Sequence, residues 1–173
     1  MTIRVLSVRR PLVRVLIRHT TPLAILLLVA AGSSRQVTPP PRAVVRHVID
    51  GDTVQLSDGQ LVRYIGIDAP EARRRRGDRW VEAAEPFAHE ATACNQQLVD
   101  RQPIRLEYDV QVYDAYGRLL AYVYVGDRMV NAELIRAGWA RPLTIPPDVK
   151  YAQLFQALAH EARESKRGMW QVR

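Results

Sequence analysis

Two alternating apolar stretches, residues 43–49 and 61–67, flank a short run at 53–56 and the turn tetrad Ser57-Asp58-Gly59-Gln60. Successive strand side chains point to opposite faces, so this pattern predicts two strands joined by a tight hairpin. Charged residues gather where the runs break. Asp50, Asp52, Asp68 and Glu71, with Arg63, fall in the blocks Asp50-Gly51-Asp52-Thr53 and Arg63-Tyr64-Ile65-Gly66-Ile67-Asp68-Ala69-Pro70-Glu71. Carboxylates at strand ends sit on a rigid support, and carboxylates plus an arginine suit a hard cation and a phosphate.

Downstream the period changes from two to that of a helix. Between residues 85 and 99, Phe87, Ala91, Cys94 and Leu98 form one apolar face. Residues 104–108 alternate as a strand, and 120–125 form another before Gly126-Asp127. Asn131 is placed to cap a short helix that runs to Ala137 and ends at Gly138. Asp148 is placed to cap the last helix, with Tyr151, Leu154, Phe155, Leu158 and Ala162 as its stripe and Gly168 at its end. Periodicity therefore gives an α+β class, in one globular domain for a chain of 173 residues that is 47% hydrophobic.

The formal charge of +7 is a poor guide to partners, because Arg4, Arg9, Arg10, Arg14 and Arg18 precede any acidic residue; without those five, +7 becomes +2. They open a leader whose apolar stretch, residues 22–31, is followed by Gly32, Ser33 and Ser34, the order of an export signal. Ten apolar residues make only about 15 Å of helix, about half the hydrocarbon thickness, so a stable transmembrane span is not expected. Residues 1–32 are read as a signal peptide cleaved near residues 29–31, or as an uncleaved anchor. A proline-rich linker at 33–41 and a folded domain at 42–173 follow. Cys94 is the single cysteine, which excludes an intramolecular disulfide or a thiolate metal site, and its helical spacing suggests a buried, inert thiol.

The two acidic blocks are followed by Asp114-Ala115-Tyr116-Gly117-Arg118 and an apolar strand. Asp-Gly-Asp-Thr, Arg-x4-Asp-x-Pro-Glu and Asp-x-Tyr-Gly-Arg, in that order, resemble the staphylococcal nuclease family. The resemblance implies a five-stranded β-barrel of the oligonucleotide-binding (OB) type with three packed helices. It also implies one calcium ion per domain, held by Asp52, Asp68 and the main-chain carbonyl of Ala69, where the family's usual threonine is replaced. Glu71 then matches the glutamate beside the attacking water, Arg63 and Arg118 the two phosphate arginines, and Tyr116 a substrate-contact tyrosine.

Two departures fall on the substrate side. Ala115 stands where the family has a basic residue, and Arg141-Pro142-Leu143-Thr144-Ile145-Pro146-Pro147 replaces a segment that supplies another tyrosine. Arg73, Arg74, Arg75 and Arg76 form a basic run read as a loop directly after Glu71, placed to attract a polyanion. The expected function is an exported, calcium-dependent nuclease acting on DNA and RNA with little sequence preference and leaving 3′-phosphates, as a monomer without a stable protein partner. Two other readings stay open: a barrel that binds nucleic acid without catalysis, and the same nuclease held at a membrane by its leader.

Overall fold

The structure is a computed structural model that describes residues 40–76, 79–82 and 84–171. These all lie in the unit Val37–Arg173. The expected leader, its cleavage site and most of the linker lie outside the described residues.

The predicted hairpin is present. Strand β1 (Arg42–Val48) pairs antiparallel with β2 (Thr53–Leu56), with an irregularity between Val45 and His47, and β2 pairs with β3 (Leu61–Tyr64). The chain then turns through Ile65 and Gly66 into β4 (Ile67–Asp68). Strands β5 (Arg73–Arg76) and β6 (Arg79–Glu82) follow, then helix α1 (Ala88–Val99) and β7 (Pro103–Glu107). After these come β8 (Leu119–Val125), β9 (Arg128–Met129), α2 (Val130–Arg136), β10 (Arg141–Pro142), α3 (Ala152–Glu164) and a 3-10 turn at Gly168–Gln171.

The sheet runs β3-β2-β1-β7-β8-β9, and a parallel pairing of β3 with β8 closes β1, β2, β3, β7 and β8 into a barrel. Closure removes the exposed strand edges that an open five-stranded sheet would carry. Inward positions are filled by Val45, Val54, Leu56, Val62, Ile104, Leu106, Leu119 and Val123, all buried. With three helices around it, this is the expected α+β barrel of the staphylococcal nuclease and OB type.

Four expectations about local structure are corrected. Arg73–Arg76 do not form a loop: β5 pairs with β6 as a separate two-stranded hairpin, register Arg73↔Glu82 to Arg76↔Arg79. A run of four arginines carries no alternation of hydrophobicity, so the period that reveals other strands is absent there. Helix α1 starts after Phe87, whose φ of 71° is not helical, and its buried residues are Ala88, Ala91, Asn95 and Val99, with Cys94 and Leu98 only half-buried. Asn131 lies inside α2, where its side chain accepts the Val123 N–H at 2.9 Å and donates to the Ile65 carbonyl at 2.9 Å, joining α2 to the barrel. Asp148 precedes α3 by several residues and accepts the Gln111 N–H at 2.8 Å; Leu154 on that helix is exposed.

Candidate active site

The β1–β2 turn is narrow, with the N–H groups of Ile49 and Asp50 both directed at the Thr53 carbonyl (3.0 and 3.3 Å). Within it the Asp50 carboxylate accepts the Asp52 N–H at 3.0 Å. Gly51 lies against α1 and the β4 end: an added Cβ would stand 2.5 Å from the Ala69 Cβ and 3.0 Å from the Ala91 Cβ. Only glycine permits this approach, which brings α1 and the second acidic block onto the first.

Asp52 is wholly buried. Its Oδ2 accepts the Ala69 N–H at 2.7 Å, and its Oδ1 accepts the Thr53 hydroxyl at 3.1 Å and is ion-paired with the Arg63 guanidinium. Arg63, central in β3, directs its second terminal nitrogen to the Asp68 carboxylate at 3.0 Å and to the Ile67 carbonyl at 3.4 Å. One planar guanidinium thus spans the two aspartates, a task its fork geometry suits. Asp68 differs from Asp52 in exposure, its side chain being 51% accessible.

Glu71 is half-buried beyond Pro70, where its backbone exchanges hydrogen bonds with Glu85: its carbonyl accepts the Glu85 N–H at 2.9 Å, and its N–H reaches the Glu85 carboxylate at 3.4 Å. Burial first, and then the negative charges of Asp50, Asp68 and Glu85, raise its pKa against the opposing pull of Arg63. Asp50 is also raised by burial, partly offset by Arg63, Thr53 and Arg118. Four carboxyl groups, Asp50, Asp52, Asp68 and Glu71, thus share this region with two arginines, Arg63 and Arg118.

Arg118 arrives from the other side of the barrel seam, where the parallel pairing places Val62 beside Leu119 and Arg63 beside Leu120. Its Nε–H donates to Asp114 at 2.6 Å, and the other Asp114 oxygen accepts the backbone N–H groups of Tyr116 and Arg118, each at 2.9 Å. Burial alone would raise Asp114, but these hydrogen bonds outweigh it and hold the carboxyl below its ordinary pKa. The Tyr116 ring is 82% exposed, with the Arg118 guanidinium 5.7 Å from its centroid. A pocket of about 70 Å³ opens beside Arg63, lined by Gly66, Ile67, Leu120, Leu143 and Ile145 among others. The proline-containing segment after Trp139 thus forms one wall.

Comparison with known proteins gives the family. Residues 61–172 match the family described as staphylococcal nuclease homologue. The chain belongs to the staphylococcal nuclease family. Among its relatives, the thermonuclease of Staphylococcus intermedius is 37% identical over 131 residues, which cover 74% of this chain and 75% of the relative. The thermonuclease of Staphylococcus hyicus is 36% identical over 129 residues, covering 73% of each. The endonuclease YncB of Bacillus subtilis is 34% identical over 129 residues, 72% of this chain and 59% of the relative. As a member of the staphylococcal nuclease family the protein is a nuclease, a hydrolase.

The fold joins Asp52, Asp68, Ala69 and Arg63 by direct contacts, sets Glu71 within electrostatic reach of Arg63 and Asp68 and Arg118 within that of Asp50, and leaves Tyr116 exposed beside Arg118. Strand β5 follows Glu71, but the side chains of Arg73, Arg74, Arg75 and Arg76 lie outside the description. Among the described residues no three His, Cys, Asp or Glu side chains converge as a metal cage. Sequence reasoning missed Asn95, which accepts the Tyr64 hydroxyl at 3.0 Å and donates to the Asp50 carbonyl at 2.9 Å. A polar residue on a buried helical face leaves no hydrophobic signal. It also left Asp114 without a role, although its spacing of four from Arg118 was readable.

Proposed function

We propose that this nuclease is exported, depends on calcium and hydrolyses phosphodiester bonds of DNA and RNA with little sequence preference. The observation that carries the reading is the Arg63 fork across Asp52 and Asp68, with Glu71 alongside. Calcium prefers oxygen donors in flexible geometry. The residues fit it: Asp52 and Asp68 are close enough to share one guanidinium, the Ala69 carbonyl belongs to the residue whose N–H binds Asp52, and the four carboxyl groups beside two arginines favour a further positive charge. When bound there, the ion would supply charge stabilisation of the phosphoryl oxygens.

The chain's own residues do the rest. With a cation between Asp52 and Asp68, the two terminal nitrogens of Arg63 that these carboxylates hold would be released, and Arg63 and Arg118 then take phosphate oxygens and offset the charge that builds in the transition state. Arg118 can do this because Asp114 takes only its Nε, leaving the terminal nitrogens for the substrate. Glu71 orients the attacking water and accepts its proton, a role helped by a raised pKa. The water oxygen bonds to phosphorus, the bond to the 5′ oxygen breaks, and the products are a 3′-phosphate and a 5′-hydroxyl, which takes its proton from solvent while Glu71 gives up to solvent the one it took from the water. Tyr116, exposed and beside Arg118, offers a stacking face that every base can use.

Export rests on the basic and apolar order of residues 1–32. Among the described residues no helix is long and apolar enough to cross a membrane. The test is digestion of single-stranded DNA and of RNA with calcium and then with a chelator, followed by analysis of the new ends. Cleavage of both, lost on chelation and leaving 3′-phosphates, is expected; undiminished cleavage under chelation refutes the reading.

A further inference from the structure

Strand β10 lies antiparallel to β4, with Arg141 directly opposite Asp68. Directly opposed residues of such a ladder project on the same face, so Arg141 emerges beside the acidic site. It is exposed, and its guanidinium lies 5.7 Å from the centroid of the Trp170 ring. Arg163, exposed on α3, places its guanidinium 4.6 Å from the same centroid.

The neighbouring arginines are neutralised: Arg136 is ion-paired with Glu133 and Arg167 with Glu161. Arg141 and Arg163 have no ion pair among the described residues. Two like charges held against one indole repel each other, and an anion would offset that repulsion. A guanidinium stacked on a ring still presents its N–H edge outward, where it can take phosphate oxygens in pairs. The support is rigid, because the backbone N–H of Met169 donates to the Gly138 carbonyl at 3.0 Å, the backbone N–H of Trp170 to the Arg167 carbonyl at 3.0 Å, and the Arg167 side chain to the Arg136 carbonyl at 3.3 Å.

We propose that Arg141, Trp170 and Arg163 form a second contact for the phosphodiester backbone, engaging a strand beyond the nucleotides at the reacting phosphate. This rests on the nuclease reading above. Arg63 and Arg118 bind at the bond that breaks; Arg141 and Arg163 hold the continuing strand. The contact is electrostatic, so it recognises length and charge without reading bases.

The test compares a long single-stranded DNA with a dinucleotide, using the full chain and the double variant Arg141→Gln, Arg163→Gln. KM on the long strand is expected to rise about tenfold more than KM on the dinucleotide, with kcat on the long strand kept. The slope of log KM against log salt should also fall by about 0.7 for each lost single-strand contact. Arg141→Lys, Arg163→Lys should recover part of the long-strand affinity. Equal changes on both substrates would mean that the cluster only fastens the C-terminal turn, and overturn the proposal, as would an unchanged long-strand KM and salt slope. Should the double variant not fold, Arg163→Glu alone, on an exposed helix face, decides: a raised long-strand KM supports the contact and an unchanged one refutes it. A wild-type protein inactive on both substrates overturns the nuclease reading itself, and this contact with it.

Discussion

Asn95 on α1 donates its side-chain amide to the Asp50 carbonyl at 2.9 Å and so ties the helix to the turn that carries Asp52. Its oxygen accepts the buried Tyr64 hydroxyl, whose own ionisation burial pushes far upward, so that link stays a neutral hydrogen bond at any ordinary pH. Asn95→Ala leaves the Asp50 carbonyl and the Tyr64 hydroxyl without this partner. A loss of about 1–3 kcal/mol is expected in denaturant unfolding, with nuclease activity falling as the acidic turn loosens. Wild-type stability in this variant would show that the link contributes nothing.

Gly51→Ala tests the close approach of α1, β4 and the first acidic block. The new methyl would meet the Ala69 and Ala91 side chains at 2.5 and 3.0 Å, so helix or strand must shift. Overpacking of this kind costs about 1–3 kcal/mol. Because Ala69 also holds Asp52, the shift should lower kcat as well, measurable in steady-state assays at saturating DNA.

Much of this was legible in the sequence, for reasons that differ by residue. The β2–β3 hairpin, the barrel strands and the α3 stripe are local patterns of period two or 3.6. Asp52, Asp68, Glu71, Arg63 and Arg118 stood out because three short motifs kept their order. What stayed hidden is long-range or polar. Asn95 meets Asp50 across 45 positions and Asn131 meets Ile65 across 66, and neither carries an apolar signature. The two-residue strands β4 and β10 are too short for any period, so the placement of Arg141 beside Asp68 comes only from the fold.

Asp114 gives a pH dependence with a definite sign. Its carboxyl titrates below the ordinary value in the folded state because Arg118 and two backbone N–H groups outweigh burial. Such a group stabilises the fold fully above its unfolded pKa of about 3.9, and the contribution is lost as pH falls through the folded pKa. In urea unfolding, the stability difference between wild type and Asp114→Asn should be constant near neutrality and shrink below about pH 4. A difference that does not narrow on acidification contradicts the assignment.

Arg118→Lys keeps the charge and removes the fork. A lysine cannot satisfy Asp114 and also grip two phosphate oxygens. With one preorganised donor lost, kcat on single-stranded DNA is expected to fall about 10²–10³-fold, while thermal unfolding changes little because a lysine keeps a positive charge beside Asp114. Near wild-type kcat would remove Arg118 from the reaction.

The most direct test of the site is the calcium concentration that gives half-maximal cleavage of single-stranded DNA by wild type and by Asp68→Asn. Asp68 is half exposed, so the substitution should leave the fold intact. If Asp52, Asp68 and the Ala69 carbonyl hold the ion, the variant needs at least about tenfold more calcium, equivalent to about 1.4 kcal/mol of lost binding. An identical calcium requirement in the two proteins would contradict the account.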